Sequence, residues 1–424
     1  MDRRIVNSRV GAHRWKVLAV GVTANIAFSA ALSGIPATAV SMRAEYNLDA
    51  LALGFVLGIM GLGLAISELP WGIATDRWGD RPVLLTGVGS VASLFVWMAG
   101  MAVPDTQHEP SLMLATGLVA VGLFGGSVNG ASGRAIMAWF ATHERGFAMS
   151  IRQTAVPLGG GIGALALPWV ASQHGFAGVF LVLAAGCCLS LIMALCWLRD
   201  PPDVVASKQP MQAPPAWTDF MLWRTAAAIG LLCLPQFAVI NFTVLFLHDY
   251  AGLTVAWSAI TLAAIHLVAG AMRIWSGYLT DRRGNRAMFW RRCIHFAFMG
   301  FLVLALSSWL WPNSGAIALP MLAAGVLISA WHGVAYMEIA SAAGIQRAGT
   351  ALGMANTCVY LSLFLAPLGV GRLLEAVTWP AIWAIAGAAT LLAIPLMPTA
   401  SNDAGQVKPS PNNPGGCRPP SGTR

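Results

Sequence analysis

The chemistry open to this chain rests on a few polar side chains set inside long apolar runs. Glu68 lies in the run 51–74, about 10 Å from its end at 1.5 Å per residue. Arg273 lies at the equivalent place in the run 256–279, 205 residues further on. Each belongs to a stripe of small residues at helical spacing. Gly54, Gly58, Gly61, Ala65 and Gly72 accompany Glu68, and Ala259, Ala263, His266, Gly270 and Gly277 accompany Arg273. Small residues let another helix approach closely. A carboxylate or guanidinium in such a run is costly unless it faces a partner or a wet cavity. Glu68 and Arg273 are therefore candidates for a proton or substrate site, or for a structural pair. Burial disfavours the charged form of a carboxylate, so an unpaired Glu68 is able to take up and release a proton.

Other polar groups stand at similar depth. Asn25, Ser29 and Ser33 form an i, i+4, i+8 stripe, Gln236 and Thr243 share a face with Asn241 nearby, and His332 lies one turn before Tyr336. His266 and His332 carry imidazoles, which titrate near neutral pH. Arg134, Arg152 and Glu338 lie near the ends of their runs, where long side chains can snorkel. Enzyme signatures are missing. There is no phosphate-binding loop of the form G-x-x-x-x-G-K-[ST], and His143-Glu144 lacks the second histidine of a zinc helix. The glycines of 159–163 follow Pro157 inside an apolar run, not a strand. These features predict no enzyme, no metal and no cofactor.

The elements that must position these groups follow from composition. Of 424 residues, 57% are hydrophobic and 10% charged, against about 25% charged in a soluble protein. Lipid has to solvate most of the surface. Twelve runs are long enough to span a bilayer: 16–40, 51–74, 82–103, 111–136, 149–171, 178–198, 225–247, 256–279, 288–311, 315–338, 350–372 and 379–397. The expected fold is an all-α polytopic membrane protein with two six-helix halves, 1–198 and 225–397. A Pro-rich cytoplasmic linker at 199–224 joins them, and a disordered tail follows at 398–424.

The net charge of +8 is spread over short loops, which argues against nucleic acid. Six of the seven cysteines fall in apolar runs and read as free thiols. The run 17–40 is longer than a signal-peptide core and reads as an uncleaved first helix. With the N-terminus on side one, twenty of the 25 Lys and Arg residues fall on that side, and only Arg43 and Arg372 on side two. The positive-inside rule then places both termini in the cytoplasm, in a plasma or inner membrane.

The two halves repeat. GIATDRWGDR at 72–81 matches GYLTDRRGNR at 277–286 at the offset of 205. GFAMSIRQT at 146–154 aligns with GTALGMANT at 349–357 at an offset of 203, which also pairs Asn129-Gly130 with His332-Gly333. Parallel repeats of this kind build transporter halves. The first pair are copies of G-x-x-x-D-R-x-G-x-R, the loop motif of the major facilitator superfamily, which the chain resembles over nearly its full length. The motif residues are Gly72, Asp76, Arg77, Gly79 and Arg81, then Gly277, Asp281, Arg282, Gly284 and Arg286. Asp80 departs from the pattern by standing where a basic residue is common. The leading glycine permits close helix approach, and the second glycine permits a tight turn.

The resemblance implies two pseudo-symmetric halves that rock about a central site. It implies a cytoplasmic latch in which Asp76 caps helix eleven and Asp281 caps helix five. It also implies a cavity lined by helices one, four, seven and ten. Asn25, Asn129, Gln236, Asn241, Arg273, His332 and Tyr336 are then the candidate substrate contacts, and Glu68, His266 and Arg152 the candidate coupling groups. The family arrangement sets helix five against helix eight. Arg152 would there approach Arg273, and two converging guanidiniums favour an anion. The expected function is secondary active transport of a small solute by a functional monomer, coupled to protons and leaning to a small organic anion. The alternatives are a proton-linked exporter of lipophilic drugs and a non-transporting membrane receptor or scaffold.

Overall fold

The structure, a computed structural model, describes the backbone of residues 2–104, 109–140, 144–199, 216–283, 286–344 and 347–397. Among these residues the regular elements are helical. Helix one is Asp2–Ala37, extended by Ala39–Glu45; helix two is Ala50–Trp78, helix three Asp80–Met101 and helix four Pro110–Trp139. The next element, Arg145–Trp197, turns at Gly175, whose φ of 59° and ψ of −166° leave the helical region. It therefore supplies helix five, 145–174, and helix six, 176–197.

In the second half, helix seven is Phe220–Asp249, helix eight Val255–Arg283 and helix nine Arg286–Leu310. Helix ten comes in two pieces, Ala318–Ser329 and His332–Ala343; helix eleven is Ala348–Leu374 and helix twelve Trp379–Leu391. Among the described residues eleven elements are long and apolar enough to cross a membrane, and dividing Arg145–Trp197 at Gly175 makes twelve spans. Residues 200–215 of the expected linker, the tail 398–424 and Gly284 lie outside the described residues, as do the side chains of Asp76 and Asp281.

Local chemistry sets several boundaries. The Ala52 amide donates to the Asp49 carboxylate at 2.7 Å and starts helix two. Asp219 does the same for helix seven, accepting from the Met221 and Leu222 amides at 3.0 and 3.4 Å. Helix seven thus begins at Phe220, before the expected span, and takes in Arg224. Gly79 lies between helices two and three with a φ of 89°, in the left-handed region that disfavours side chains.

The halves meet through glycines. A methyl group on Gly58 would come within 2.6 Å of the Phe364 carbonyl oxygen, and one on Gly54 within 2.3 Å of the Pro367 carbonyl oxygen. The small-residue stripe of helix two is therefore spent on helix eleven. Helix five meets helix eight in the same way: Gly160 lies against His266 and Gly270 against Pro157. The Arg43–Asp249 ion pair, at 2.5 Å, joins the halves on side two. A methyl group on Gly72, Gly130, Gly277 or Gly349 would meet nothing within 4 Å. The halves are in contact on side two.

The contact between helices two and eleven makes a prediction. Gly58→Val should force helices two and eleven apart, because overpacking of such a contact costs on the order of 1–3 kcal/mol. Spin labels on cysteines at positions 45 and 250 should then report a longer distance across side two. An unchanged distance distribution would show that closure does not depend on this contact.

Candidate functional site

Polar side chains of both halves gather between the halves. Helix five brings in Arg152, which is 4% exposed. Its Nη1 donates to the Asn129 side-chain oxygen of helix four at 2.9 Å and to the Ser132 hydroxyl at 3.2 Å, with the Asn25 side-chain oxygen of helix one at 3.5 Å. Asn25 itself donates to Ser132 Oγ at 3.0 Å and to the Gly21 carbonyl at 2.7 Å. Arg152 therefore does not snorkel; it is held by neutral acceptors from two other helices.

Glu68, 8% exposed, sits beside this group. Asn129 and the Arg152 charge are its neighbours from the first half. From the second half, Asn356 of helix eleven donates through Nδ2 to Glu68 Oε1 at 2.9 Å. Asn356 Oδ1 in turn accepts from the Tyr336 hydroxyl at 2.8 Å. The Tyr336 ring stacks on His332, with centroids 5.5 Å apart and planes 16° from parallel. Glu68 Oε2, Arg152 Nε and His332 Nδ1 are buried and have no hydrogen-bond partner. Unsatisfied buried polar atoms are costly, and all three belong to this group of side chains.

Arg273 is in the second half of the site. Its electrostatic neighbours are Cys233, Tyr336, His266 and His332. It does not join Glu68 or Arg152 among the described contacts; instead Nε donates to the Ser329 carbonyl at 3.4 Å. Three residues further along helix eight, the Ser276 hydroxyl donates to the Ala330 carbonyl at 3.0 Å. Both carbonyls lie at the break in helix ten, where regular i→i−4 bonding lapses. The Trp331 ring, at the same break, stacks on Trp290 at 6.2 Å. Half-helices with exposed carbonyls at mid-membrane depth are a recurrent transporter device.

The remaining candidates lie further out. His266 fills a slot that glycine leaves open, since a methyl group on Gly160 would come within 2.8 Å of its Nδ1 and 3.1 Å of Ser33 Oγ. Its Nε2 has no partner. Asn241 donates to the Phe237 carbonyl at 2.8 Å within helix seven, and its side-chain oxygen is buried without a partner. Gln236 is buried near Cys233.

In the loop motif, Arg77 and Arg81 are exposed and Arg286 is half-buried. Arg282 lies over the Tyr278 ring at 4.3 Å. The departure at Asp80 is answered from helix four: Arg134 Nε approaches its carboxylate at 3.4 Å, and Arg134 also donates to the Thr75 carbonyl at the end of helix two. Sequence reasoning passed over Asn356, Ser132 and Tyr360. The available signal for Asn356 was its place in the repeat, where it aligns with Gln153.

Twelve spans in two repeated halves, with buried polar side chains gathered between them, define a multi-pass membrane transporter, not an enzyme. The chain belongs to the Major Facilitator Superfamily, whose family model matches residues 20–367. It is 29% identical over 393 residues to an uncharacterized MFS-type transporter of Mycobacterium tuberculosis (strain ATCC 25618 / H37Rv), covering 92% of this chain and 85% of that protein. It is 24% identical over 159 residues to a probable galactarate/D-glucarate transporter of Bacillus subtilis (strain 168), covering 38% of this chain and 34% of the relative. The crystal structure of a D-xylose-proton symporter shares the fold with a TM-score of 0.74 at 16% identity, covering 90% of this chain and 97% of the other.

Proposed function

We propose that the chain carries a small organic anion through the central cavity by alternating access, with a proton as the coupling ion. One observation carries this reading. The buried carboxylate, Glu68, bridges the two halves through Asn356 while two guanidiniums, the buried Arg152 and the half-buried Arg273, stand in the two halves of the same site. With Glu68 ionised, an anion entering the cavity meets a like charge. At about 5 Å and an effective dielectric near 20, that repulsion is about 3 kcal/mol. Protonation of Glu68 removes it and leaves both guanidiniums to the anion, so proton and anion bind together. The name of the Bacillus subtilis relative, a sugar-acid transporter, supports an anion over a lipophilic drug.

On the charge bias of the loops, side one is the cytoplasm and both termini lie there, in a plasma or inner membrane. One chain holds the whole pathway, which supports a functional monomer. Reporter fusions at residues 210 and 424 test the topology; an external signal from either would overturn it. The test of function is uptake into proteoliposomes of labelled D-glucarate, monocarboxylates, neutral sugars and lipophilic cations, with and without a pH gradient. Gradient-stimulated anion uptake is expected. Movement of lipophilic cations with no anion uptake would refute the proposal in favour of the exporter.

A further inference from the structure

The bridge between the halves is a single amide, and an amide has one donor end and one acceptor end. An ionised carboxylate can only accept. With Glu68 ionised, Asn356 must turn its nitrogen to Glu68 and its oxygen to Tyr336, which is the arrangement observed at 2.9 and 2.8 Å. Tyr336 then commits its one hydroxyl proton to Asn356 and offers only lone pairs elsewhere. A protonated Glu68 carries an O–H donor. Its terminal torsion is soft, so that O–H can turn to Asn356. The amide then reverses: its oxygen accepts from Glu68, its nitrogen donates to the Tyr336 oxygen, and the Tyr336 proton is released toward the cavity. No covalent bond changes apart from the proton gained by Glu68.

We propose that Asn356 is a positioning residue that turns the Tyr336 hydroxyl from acceptor to donor when Glu68 takes up a proton, and so prepares the cavity for an anion. This inference rests on the reading of the chain as a proton-coupled anion transporter. Three features support it. Glu68 Oε2 has no partner, so the carboxylate is not locked into a second hydrogen bond. Arg152 is engaged by Asn129 and Ser132, so it does not hold Glu68 in an ion pair. Tyr336 lies between Glu68 and Arg273, within electrostatic reach of both. The groups that face Glu68 are Asn129 of helix four, Arg152 of helix five, Tyr336 of helix ten, and Asn356 and Tyr360 of helix eleven. Those that face Tyr336 also include Cys233 of helix seven, Arg273 of helix eight and the stacked His332. Of these, only Asn356 has contacts with both a proton acceptor of the first half and a hydroxyl of the second through opposite ends of one side chain.

The test needs no substrate. Infrared difference spectra of the reconstituted protein are recorded between alkaline and mildly acidic pH. Glu68→Gln assigns the Glu68 carboxyl band and Tyr336→Phe assigns the Tyr336 phenol band. In the unaltered chain the two bands are expected to move together. In Asn356→Leu the Glu68 band should still titrate while the Tyr336 band stays still. Asn356→Ser, too short to span both partners, gives the same reading should the leucine variant fail to fold. A Tyr336 band that never moves in the unaltered chain, or that still follows Glu68 without Asn356, overturns the relay. With D-glucarate as probe, the unaltered chain should bind at least about tenfold more tightly at mildly acidic pH, and the Asn356 variants should keep only the part of that gain that loss of the Glu68 charge supplies. Absence of D-glucarate binding by every form counts against the anion reading, and the infrared result still decides the relay.

Discussion

Glu68→Gln is expected to abolish accumulation driven by a pH gradient while downhill exchange of the anion continues. Glutamine keeps the shape and keeps an oxygen for Asn356 Nδ2, which now lies 2.9 Å from Glu68 Oε1, but it has no titratable proton. One pH unit is worth 1.36 kcal/mol per proton, so a carrier moving one proton with each anion loses about tenfold accumulation for each unit of gradient. The rival role for Glu68 is structural, and the geometry names its partner. Sequence spacing offered Arg273, but the guanidinium in reach is Arg152. Were the pair structural, Glu68→Gln would strand the Arg152 charge and lower stability in detergent, and adding Arg152→Gln would recover part of the loss. Arg152 already has neutral acceptors from Asn129 and Ser132, so little loss is expected. Accumulation that persists in Glu68→Gln with the original pH profile would end the coupling role.

Arg273→Gln is expected to raise the dissociation constant for D-glucarate by more than about tenfold, a loss of roughly 1.4 kcal/mol. The guanidinium is the fixed positive charge beside Tyr336, His266 and His332. It also serves the break in helix ten, through Nε and the Ser329 carbonyl at 3.4 Å. Two variants separate these roles. Ser276→Ala removes the companion bond to the Ala330 carbonyl without touching charge. Arg273→Lys keeps the charge but loses the planar fork that matches a carboxylate. Weak binding in Arg273→Gln, partial recovery in Arg273→Lys and near-normal affinity in Ser276→Ala assign the effect to charge. Equal losses in Arg273→Gln and Ser276→Ala assign it to the break, and unchanged binding in Arg273→Gln removes the anion proposal.

Much of this architecture is local information, and local information is legible in a sequence. A run such as 51–74 must span because lipid cannot satisfy polar groups, whatever its neighbours are. The duplicated loops at 72–81 and 277–286 declare two halves without reference to any contact. The same reasoning set Glu68, Arg273, His332 and Tyr336 well inside their runs, because depth follows from counting residues along a helix, but it left Arg152 at the end of its run as a side chain that can snorkel.

What the count could not supply was rotation, tilt and the path of the backbone between partners far apart in the chain. Glu68 and Asn356 are 288 residues apart and meet only because helices two and eleven pack through Gly54, Gly58 and Gly61. The turn at Gly175 fell between the expected spans 149–171 and 178–198, just after the polar residues Ser172, Gln173 and His174, whereas the break before His332 lies inside the expected span 315–338 and left no mark in the sequence. The carbonyls that the second break leaves are answered from helix eight by Arg273 and Ser276. Asp80, read alone, was a departure from a motif, and Arg134 of helix four gives it a partner. Hydrophobicity decided which segments enter the membrane. Close approach between helices, which only the folded bundle defines, decided which buried polar groups became partners.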